Sequence, residues 1–125
     1  MSYRWSAGIA LAVLVFALAL TAAHAPKEPL DDEYLVGKWH QDVGEMTHES
    51  VLNRNHTFTS IAWIRGTNVR AGARGKWQLK NGDELWTYNE ECSPNPCAVE
   101  KDSTRIEVID HNHFRNKYGV VTRIG

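Results

Sequence analysis

The sequence predicts a small all-β domain, either a sandwich or a barrel. Its 125 residues carry short apolar or β-branched runs from Tyr34 onward, and turn signals separate them about every 8–12 residues, the spacing typical of such folds. One of these signals, Asn81-Gly82 between two alternating runs, is the strongest short-range mark of a β-hairpin. Beyond the N-terminal apolar segment, no stretch keeps an apolar stripe at the helical period. These three observations favour strands throughout the domain.

The strand boundaries follow from the turn signals between the runs. Besides Asn81-Gly82, turns are predicted at residues 53–56, in the glycine-bearing loop 65–72 and at residues 110–113. The predicted strands span residues 35–42, 46–53, 57–65, 73–80, 84–91, 98–100, 104–110, 113–118 and 120–124.

Alternation along each strand predicts an inner face, because successive side chains of a strand point to opposite sides of the sheet. Trp86 and Tyr88 fall on the outer face by this rule. The residues predicted to point inward are Gly75, Trp77, Leu79, Leu85, Thr87, Ile106, Val108, Val120, Thr122 and Ile124.

The N-terminal segment has the layout of a secretory signal. Arg4 precedes an uncharged run from Ala7 to Ala22, and Ala23-His24-Ala25 forms a small-x-small cleavage site. The alternative is a single membrane anchor, but this run is shorter than the roughly 20 residues of a typical span. We therefore expect a signal peptide at residues 1–25, a flexible lead-in at 26–33 and the β domain at 34–125. The processed protein would be periplasmic or secreted, without a stable membrane anchor.

The two cysteines, Cys92 and Cys97, enclose Ser-Pro-Asn-Pro, which is strong turn chemistry. An exported chain meets an oxidising compartment, where a cysteine pair usually forms a disulfide. A metal site would need two further ligands, and no second cysteine pair supplies them. A redox centre would favour Cys-x-x-Cys at a helix start, which is absent. The spacing and compartment together predict a structural disulfide across a hairpin loop.

Several short motifs suggest a family. Gly37-Lys-Trp39 opens the first strand, and Gly75-Lys-Trp77 repeats the pattern before the Asn-Gly turn. Residues 55–59 form a Thr-Phe element after a turn, and residues 106–114 precede a closing strand that contains Arg123. This arrangement resembles the lipocalin-like domain family of small exported bacterial proteins, over most of residues 35–124.

The resemblance implies an antiparallel, up-and-down β-barrel or half-barrel with a possible apolar cup. It also implies that Trp39 packs at the closed end of the barrel under Arg123, where a guanidinium over an indole is worth roughly 0.5–2 kcal/mol. A second lipocalin motif and a long helix before the last strand are both missing from this sequence. The interior could therefore be filled by side chains alone, as in other small barrels.

Two functions follow as hypotheses. The first is a binding module for a small apolar or amphipathic molecule, since aromatic walls favour such ligands. Its expected ligand-binding residues are Trp63, Trp77, Leu85 and Thr87. The second is a protein–protein interaction module of the cell envelope, of the inhibitor or immunity type. A loop closed by a disulfide and exposed aromatic residues are both suited to partner recognition. Its expected surface comprises Trp86, Tyr88, Ser93 and Asn95.

Other classes of function find little support. A net charge of −1 gives no reason to expect nucleic acid as a partner. No hydrolase, metalloprotease or phosphate-binding motif occurs. His111 and His113 with Asp110 have the ligand types for a divalent metal, but they stand at a predicted turn where polar residues are expected. The sequence therefore predicts a protein that is not an enzyme and holds neither metal nor cofactor.

Overall fold

The computed structural model describes residues 28–125, which form a nearly closed antiparallel β-barrel with one short helix. The signal peptide predicted at residues 1–25 lies outside the described residues. Helix α1 spans Asp32–Leu35. The strands are β1 Gly37–Val43, β2 Met46–Leu52, β3 Thr57–Ile64, β4 Arg70–Lys80, β5 Glu84–Ser93, β6 Lys101–Arg105, β7 Glu107–Asp110, β8 His113–Asn116 and β9 Gly119–Arg123. Within residues 28–125, no helix has the length and apolar character needed to cross a membrane.

The strands form a single up-and-down sheet in the order β6-β5-β4-β3-β2-β1-β9-β8-β7. Pairing of β9 with β1 curls the sheet round, and β6 and β7 are left as its two edges. The seam between these edges is bridged by Lys117, whose Nζ donates to Asp102 Oδ1 at 2.8 Å and to the Ser103 carbonyl at 3.1 Å. The predicted all-β, antiparallel architecture is confirmed.

Two predicted strands differ from the observed ones by more than a shift of a few residues at their ends. Residues 98–100 are not a strand, because they belong to the irregular loop after the disulfide. The strand predicted at 104–110 is broken at Ile106 into β6 and β7, and the Ile106 N–H donates to the Asp83 carbonyl at 2.8 Å. At this break the chain passes from one edge of the sheet to the other, although Ile106 carries no turn signal.

The inner face follows the predicted alternation in β4, β5 and β7 but not in β9. Trp77 and Val108 are buried, and Leu79 and Leu85 pack against the core. In β9, however, Val121 is 5% exposed whereas Val120 and Ile124 are 45% and 46% exposed. The pairing of Trp39 with Arg123 sets this register. The prediction that Val120, Thr122 and Ile124 point inward is therefore wrong by one residue.

One end of the barrel is closed by α1 and the turn at residues 53–56. Asp31 caps the helix by accepting from the Tyr34 N–H at 2.8 Å, and Leu35 is fully buried. The Tyr34 hydroxyl lies 2.7 Å from the Asp110 carbonyl oxygen, so it ties the helix to the β7–β8 turn. The flexible lead-in predicted up to residue 33 thus includes a capped helical turn, and the predicted domain boundary at Tyr34 falls inside α1.

A disulfide joins Cys92 at the end of β5 to Cys97 in the following loop, as predicted. For a loop this short, the chain-entropy relation gives a stabilisation of about 2 kcal/mol. We expect the double variant Cys92→Ser/Cys97→Ser to lose about that free energy of unfolding in urea titrations. A reductant should destabilise the parent protein by a similar amount and leave the double variant unchanged. Equal stability of reduced and oxidised parent protein would contradict this account.

Candidate functional site: the barrel cavity

A cavity of about 440 Å³ occupies the barrel interior. It extends from Trp39 at the closed end to Val99 and Tyr118 at the other end, and these last two side chains are more than half exposed. Val99 belongs to the loop after the disulfide and Tyr118 to the β8–β9 turn. Cavities of about 300–1,000 Å³ are the usual size of small-molecule sites, so the interior has room for a ligand.

The floor of the cavity is apolar. Trp39 and Phe114 meet edge to face, with ring centroids 4.7 Å apart and planes at 69°, the geometry that aromatic pairs favour. Both residues are buried, as are Leu52, Phe58 and Val121, whereas Leu85 is partly buried. The apolar residues that line this part are Trp39, Leu52, Phe58, Ala73, Leu85, Phe114 and Val121.

Uncharged polar side chains also line the cavity, and together they are called the polar band. Gln41 and Asn116 pair across β1 and β8: Gln41 Nε2 donates to Asn116 Oδ1 at 2.9 Å, and Asn116 Nδ2 donates back to Gln41 Oε1 at 3.2 Å. The other hydroxyl and amide groups of this band come from β2, β3, β5 and β6. The members of this polar band are Gln41, Ser50, Ser60, Thr87, Asn89, Thr104 and Asn116.

His48 and Asp102 are the titratable groups whose inward strand positions place them on the cavity wall. Burial lowers the pKa of His48, so its imidazole is uncharged at neutral pH. Asp102 is an ion-pair partner of Lys117 at the seam. His40 also contributes to the wall, but its ring nitrogens contact Glu49 at 3.1 Å and Asp42 at 3.3 Å.

Ser50 and His48 do not form a catalytic pair by the usual geometric criteria. Ser50 Oγ lies 3.5 Å from His48 Nε2, which is longer than the 2.6–3.2 Å typical of a nucleophile and its base. Within residues 28–125, no carboxylate hydrogen bonds to the other ring nitrogen of His48, so the third group that orients a base is missing. The geometry suits hydrogen bonding to a ligand better than activation of a hydroxyl.

Only half of the predicted ligand-binding set lines this cavity. Leu85 and Thr87 do. Trp63 does not: it pairs with Thr47 and Arg70 on the outer face, and the Arg70 guanidinium lies 5.8 Å from its ring centroid. The prediction of Trp63 as a cavity residue is wrong because inward positions of β3 are the even-numbered ones, such as Phe58 and Ser60.

Trp77 points inward but packs beneath the cavity instead of lining it. It is 1% exposed, and its Nε1 donates to the Asn53 carbonyl at 3.0 Å. The His56 ring stacks on it, with centroids 4.4 Å apart and planes at 5°. Trp77 is therefore a core residue of the closed end.

Arg123 and Trp39 make the contact that the family resemblance implies. The guanidinium carbon of Arg123 lies 4.1 Å from the Trp39 ring centroid. Its nitrogens also donate to the carbonyls of Tyr34 at 2.6 Å, Val36 at 3.0 Å and His111 at 3.1 Å. This side chain therefore links β9, α1 and the β7–β8 turn below the cavity.

The predicted partner surface lies on the outer face of β5 and in the loop that the disulfide closes. Trp86 and Tyr88 stack with centroids 6.3 Å apart, and the Lys80 ammonium lies 4.6 Å and 5.6 Å from the two centroids. Ser93 and Asn95 are exposed near the disulfide. A lysine thus covers part of the aromatic surface that a partner would contact.

The histidines considered as metal ligands contact two different carboxylates. His113 Nδ1 lies 2.7 Å from Asp110 Oδ1, whereas His111 Nδ1 lies 2.7 Å from Glu28 Oε1. Among residues 28–125, no group of three or more His, Cys, Asp or Glu side chains is arranged to hold a metal ion.

Several cavity residues were not predicted from the sequence. Phe58, Phe114 and the Gln41–Asn116 pair line the cavity, as does His48. Phe58 stands in the Thr-Phe element and Gln41 lies two residues after Trp39. Extending the alternation from Trp39 along β1 and across to β2 would have placed Gln41 and His48 on the inner face.

The chain resembles known proteins in fold alone. No family model and no curated protein sequence matches it. A protein of Bacteroides thetaiotaomicron, solved by NMR, is similar over 80% of this chain and 98% of its own, with 8% identity and a TM-score of 0.55. A lipoprotein, YedD from Klebsiella pneumoniae, is similar over 82% of this chain and 80% of its own, with 11% identity and a TM-score of 0.51. The TM-scores support a shared fold, and at these identities no function is carried across.

Proposed function

We propose that this chain is an exported, lipocalin-like binding module that holds a small apolar or amphipathic molecule in its barrel. The observation that carries the proposal is the cavity of about 440 Å³, which is lined by apolar side chains and by the polar band. Apolar walls with a few polar groups are the usual composition of small-molecule sites. The role needs no catalytic step, metal or cofactor.

A periplasmic or secreted location is part of the proposal. The disulfide supports it, because such bonds persist in oxidising compartments and are rare in the cytosol. The N-terminal sequence has the pattern of a secretory signal. The fold is also shared with a protein described as a lipoprotein, which is consistent with export.

The alternative, a protein–protein module of the envelope, stays a prediction. Trp86 and Tyr88 face outward as such a surface requires, but Lys80 lies over both rings. A partner would have to displace this lysine or accommodate its charge. The cavity shows no comparable obstacle, so it carries the proposal.

Two neighbouring substitutions on β3 test the binding site. Ser60 lines the cavity, whereas Thr59 is exposed on the outer face. We expect Ser60→Phe to fill the cavity and to weaken binding of a neutral solvatochromic dye such as Nile red at least about tenfold, since the ring takes the ligand's space. Thr59→Phe, the matched control, should bind as the parent does.

Dye fluorescence titrations measure both variants, with circular dichroism to verify that each is folded. Native mass spectrometry of protein purified from its host envelope should also show a co-purifying small molecule in the parent and in Thr59→Phe. Equal dye affinities in Ser60→Phe and Thr59→Phe would place any binding outside the barrel and refute the proposal.

A further inference from the structure

We infer that the ligand of the cavity is a neutral amphiphile, with an uncharged hydroxyl, amide or ester head that hydrogen bonds to the polar band and an apolar body on the floor. This inference rests on the proposed binding function and narrows its chemical class. Hydroxyls and amides make up most of the polar lining, and no lysine or arginine is among the lining residues.

An anionic head would find no free positive charge on the cavity wall. The candidates are two histidines. Burial lowers the pKa of His48, so its ring is uncharged at neutral pH. The hydrogen bond to Glu49 raises the pKa of His40, but Glu49 and Asp42 occupy both of its ring nitrogens. Lys117 stands at the rim, where Asp102 and the Ser103 carbonyl already occupy its ammonium group. Burying a charge without a partner is costly, so a carboxylate or phosphate head is disfavoured.

A cationic head meets the opposite obstacle. Asp102 is the carboxylate that lines the wall within the described residues, and its Oδ1 accepts from Lys117 Nζ at 2.8 Å. A ligand ammonium would have to displace that lysine and break the link across the seam. Glu49 and Asp42 alternate with the cavity-lining Ser50 and Gln41, so they face outward, where both contact the His40 ring.

A neutral head, in contrast, finds available partners. Ser60 and Thr87 stand on different walls of the cavity, and neither hydroxyl has a hydrogen-bond partner elsewhere in residues 28–125. A hydroxyl can both donate and accept a hydrogen bond. These two groups can therefore hydrogen bond to an alcohol, an amide or an ester without a change in charge. The ring of His48 adds one donor and one acceptor in its neutral form.

The test compares three ligands that share a ten-carbon chain and differ in head group: decan-1-ol, decanoate and decylammonium. Each displaces Nile red from the processed protein at pH 7.5, with Ser60→Phe as the control for displacement from the cavity. We expect decan-1-ol to bind at least about tenfold more tightly than either charged compound. A second pair of variants tests the hydrogen bond to the head group. Thr87→Val should bind decan-1-ol about fivefold more weakly than the parent, because it loses one hydrogen bond to the ligand. Thr59→Val, the outer-face control, should bind decan-1-ol as the parent does.

The outcomes separate this inference from the function on which it rests. Decanoate or decylammonium binding as tightly as decan-1-ol would overturn the neutral class and leave the binding function standing. Equal decan-1-ol affinities in Thr87→Val and Thr59→Val would also overturn it, since the head would then not reach the polar band. Failure of the parent protein to bind the dye or any of the three compounds would overturn both.

Discussion

Gly75→Ala is expected to destabilise the protein by at least about 3 kcal/mol, an effect in the range of severe overpacking. Gly75 lies in β4 at a bulge, where the register against β5 shifts between Arg74 and Gly75. A β-carbon at this position would overlap the carbonyl oxygen of Tyr88 and lie 2.9 Å from its carbon and 3.0 Å from the Glu90 nitrogen. Backbone atoms cannot rotate aside, so the two strands would have to separate.

Gly72, on the same strand, is the matched control. A β-carbon there would meet the Ser60 carbonyl oxygen and Ser93 Oγ at 3.5 Å, an ordinary contact distance. We expect Gly72→Ala to change the free energy of unfolding by less than about 1 kcal/mol, because alanine also reduces the entropy of the unfolded chain. Urea and thermal unfolding measure both variants, and a loss of 3 kcal/mol corresponds to a melting temperature lower by about 12 °C or more. If Gly75→Ala and Gly72→Ala were equally stable, β5 would be able to move away from β4 without a loss of stability.

The strands and their inner faces were largely predictable, since hydrophobic alternation and turn chemistry are local properties. Asn81 and Gly82, for example, form the predicted turn with positive φ angles of 55° and 80°. The register of β9 was not predictable in this way. Val120 and Val121 are equally apolar, and only the pairing with β1, which is distant in sequence, decides which of them points inward.

The sequence predicts which side of its strand a site residue faces, but not how far along the barrel axis it lies. Leu85 and Thr87 face the interior as predicted and line the cavity, whereas Trp77, on the paired strand and facing the same interior, does not line it. Depth along the barrel depends on strand tilt and on how α1 fills the closed end, and neither leaves a local signal. Trp63 was chosen for its residue type instead of its strand position, which explains that error.

The closed end determines how deep the cavity is, and Arg123 holds that end together. Its guanidinium covers Trp39, the floor of the cavity, and its three hydrogen bonds fix α1 and the β7–β8 turn. The resemblance implied the Trp39 contact, but the links to the carbonyls of Tyr34, Val36 and His111 depend on where α1 lies. The stability of the closed end and the shape of the cavity therefore both depend on the Arg123 side chain.

Arg123→Ala is therefore expected to lower the free energy of unfolding by about 2 to 3 kcal/mol. Charge-assisted hydrogen bonds are worth about 1.5–3 kcal/mol each but do not add fully, and the cation–π contact contributes roughly 0.5–2 kcal/mol. Arg123→Lys should recover part of this at most, because one ammonium group cannot reproduce the planar fork that reaches three carbonyls. Urea unfolding measures the loss, and amide hydrogen exchange at Leu35 and Val36 should accelerate as α1 detaches.

Arg115 on β8 is the control for removal of an arginine. It is exposed, and Nη1 lies 3.5 Å from Glu107 Oε1, the kind of surface pair that contributes little. Arg115→Ala should stay within about 1 kcal/mol of the parent and leave exchange in α1 unchanged. Because Trp39 forms the cavity floor, Arg123→Ala should also weaken Nile red binding, whereas Arg115→Ala should not. If the two variants unfolded at the same urea concentration with the same exchange rates in α1, Arg123 would be an ordinary surface charge and the closed end would depend on apolar packing alone.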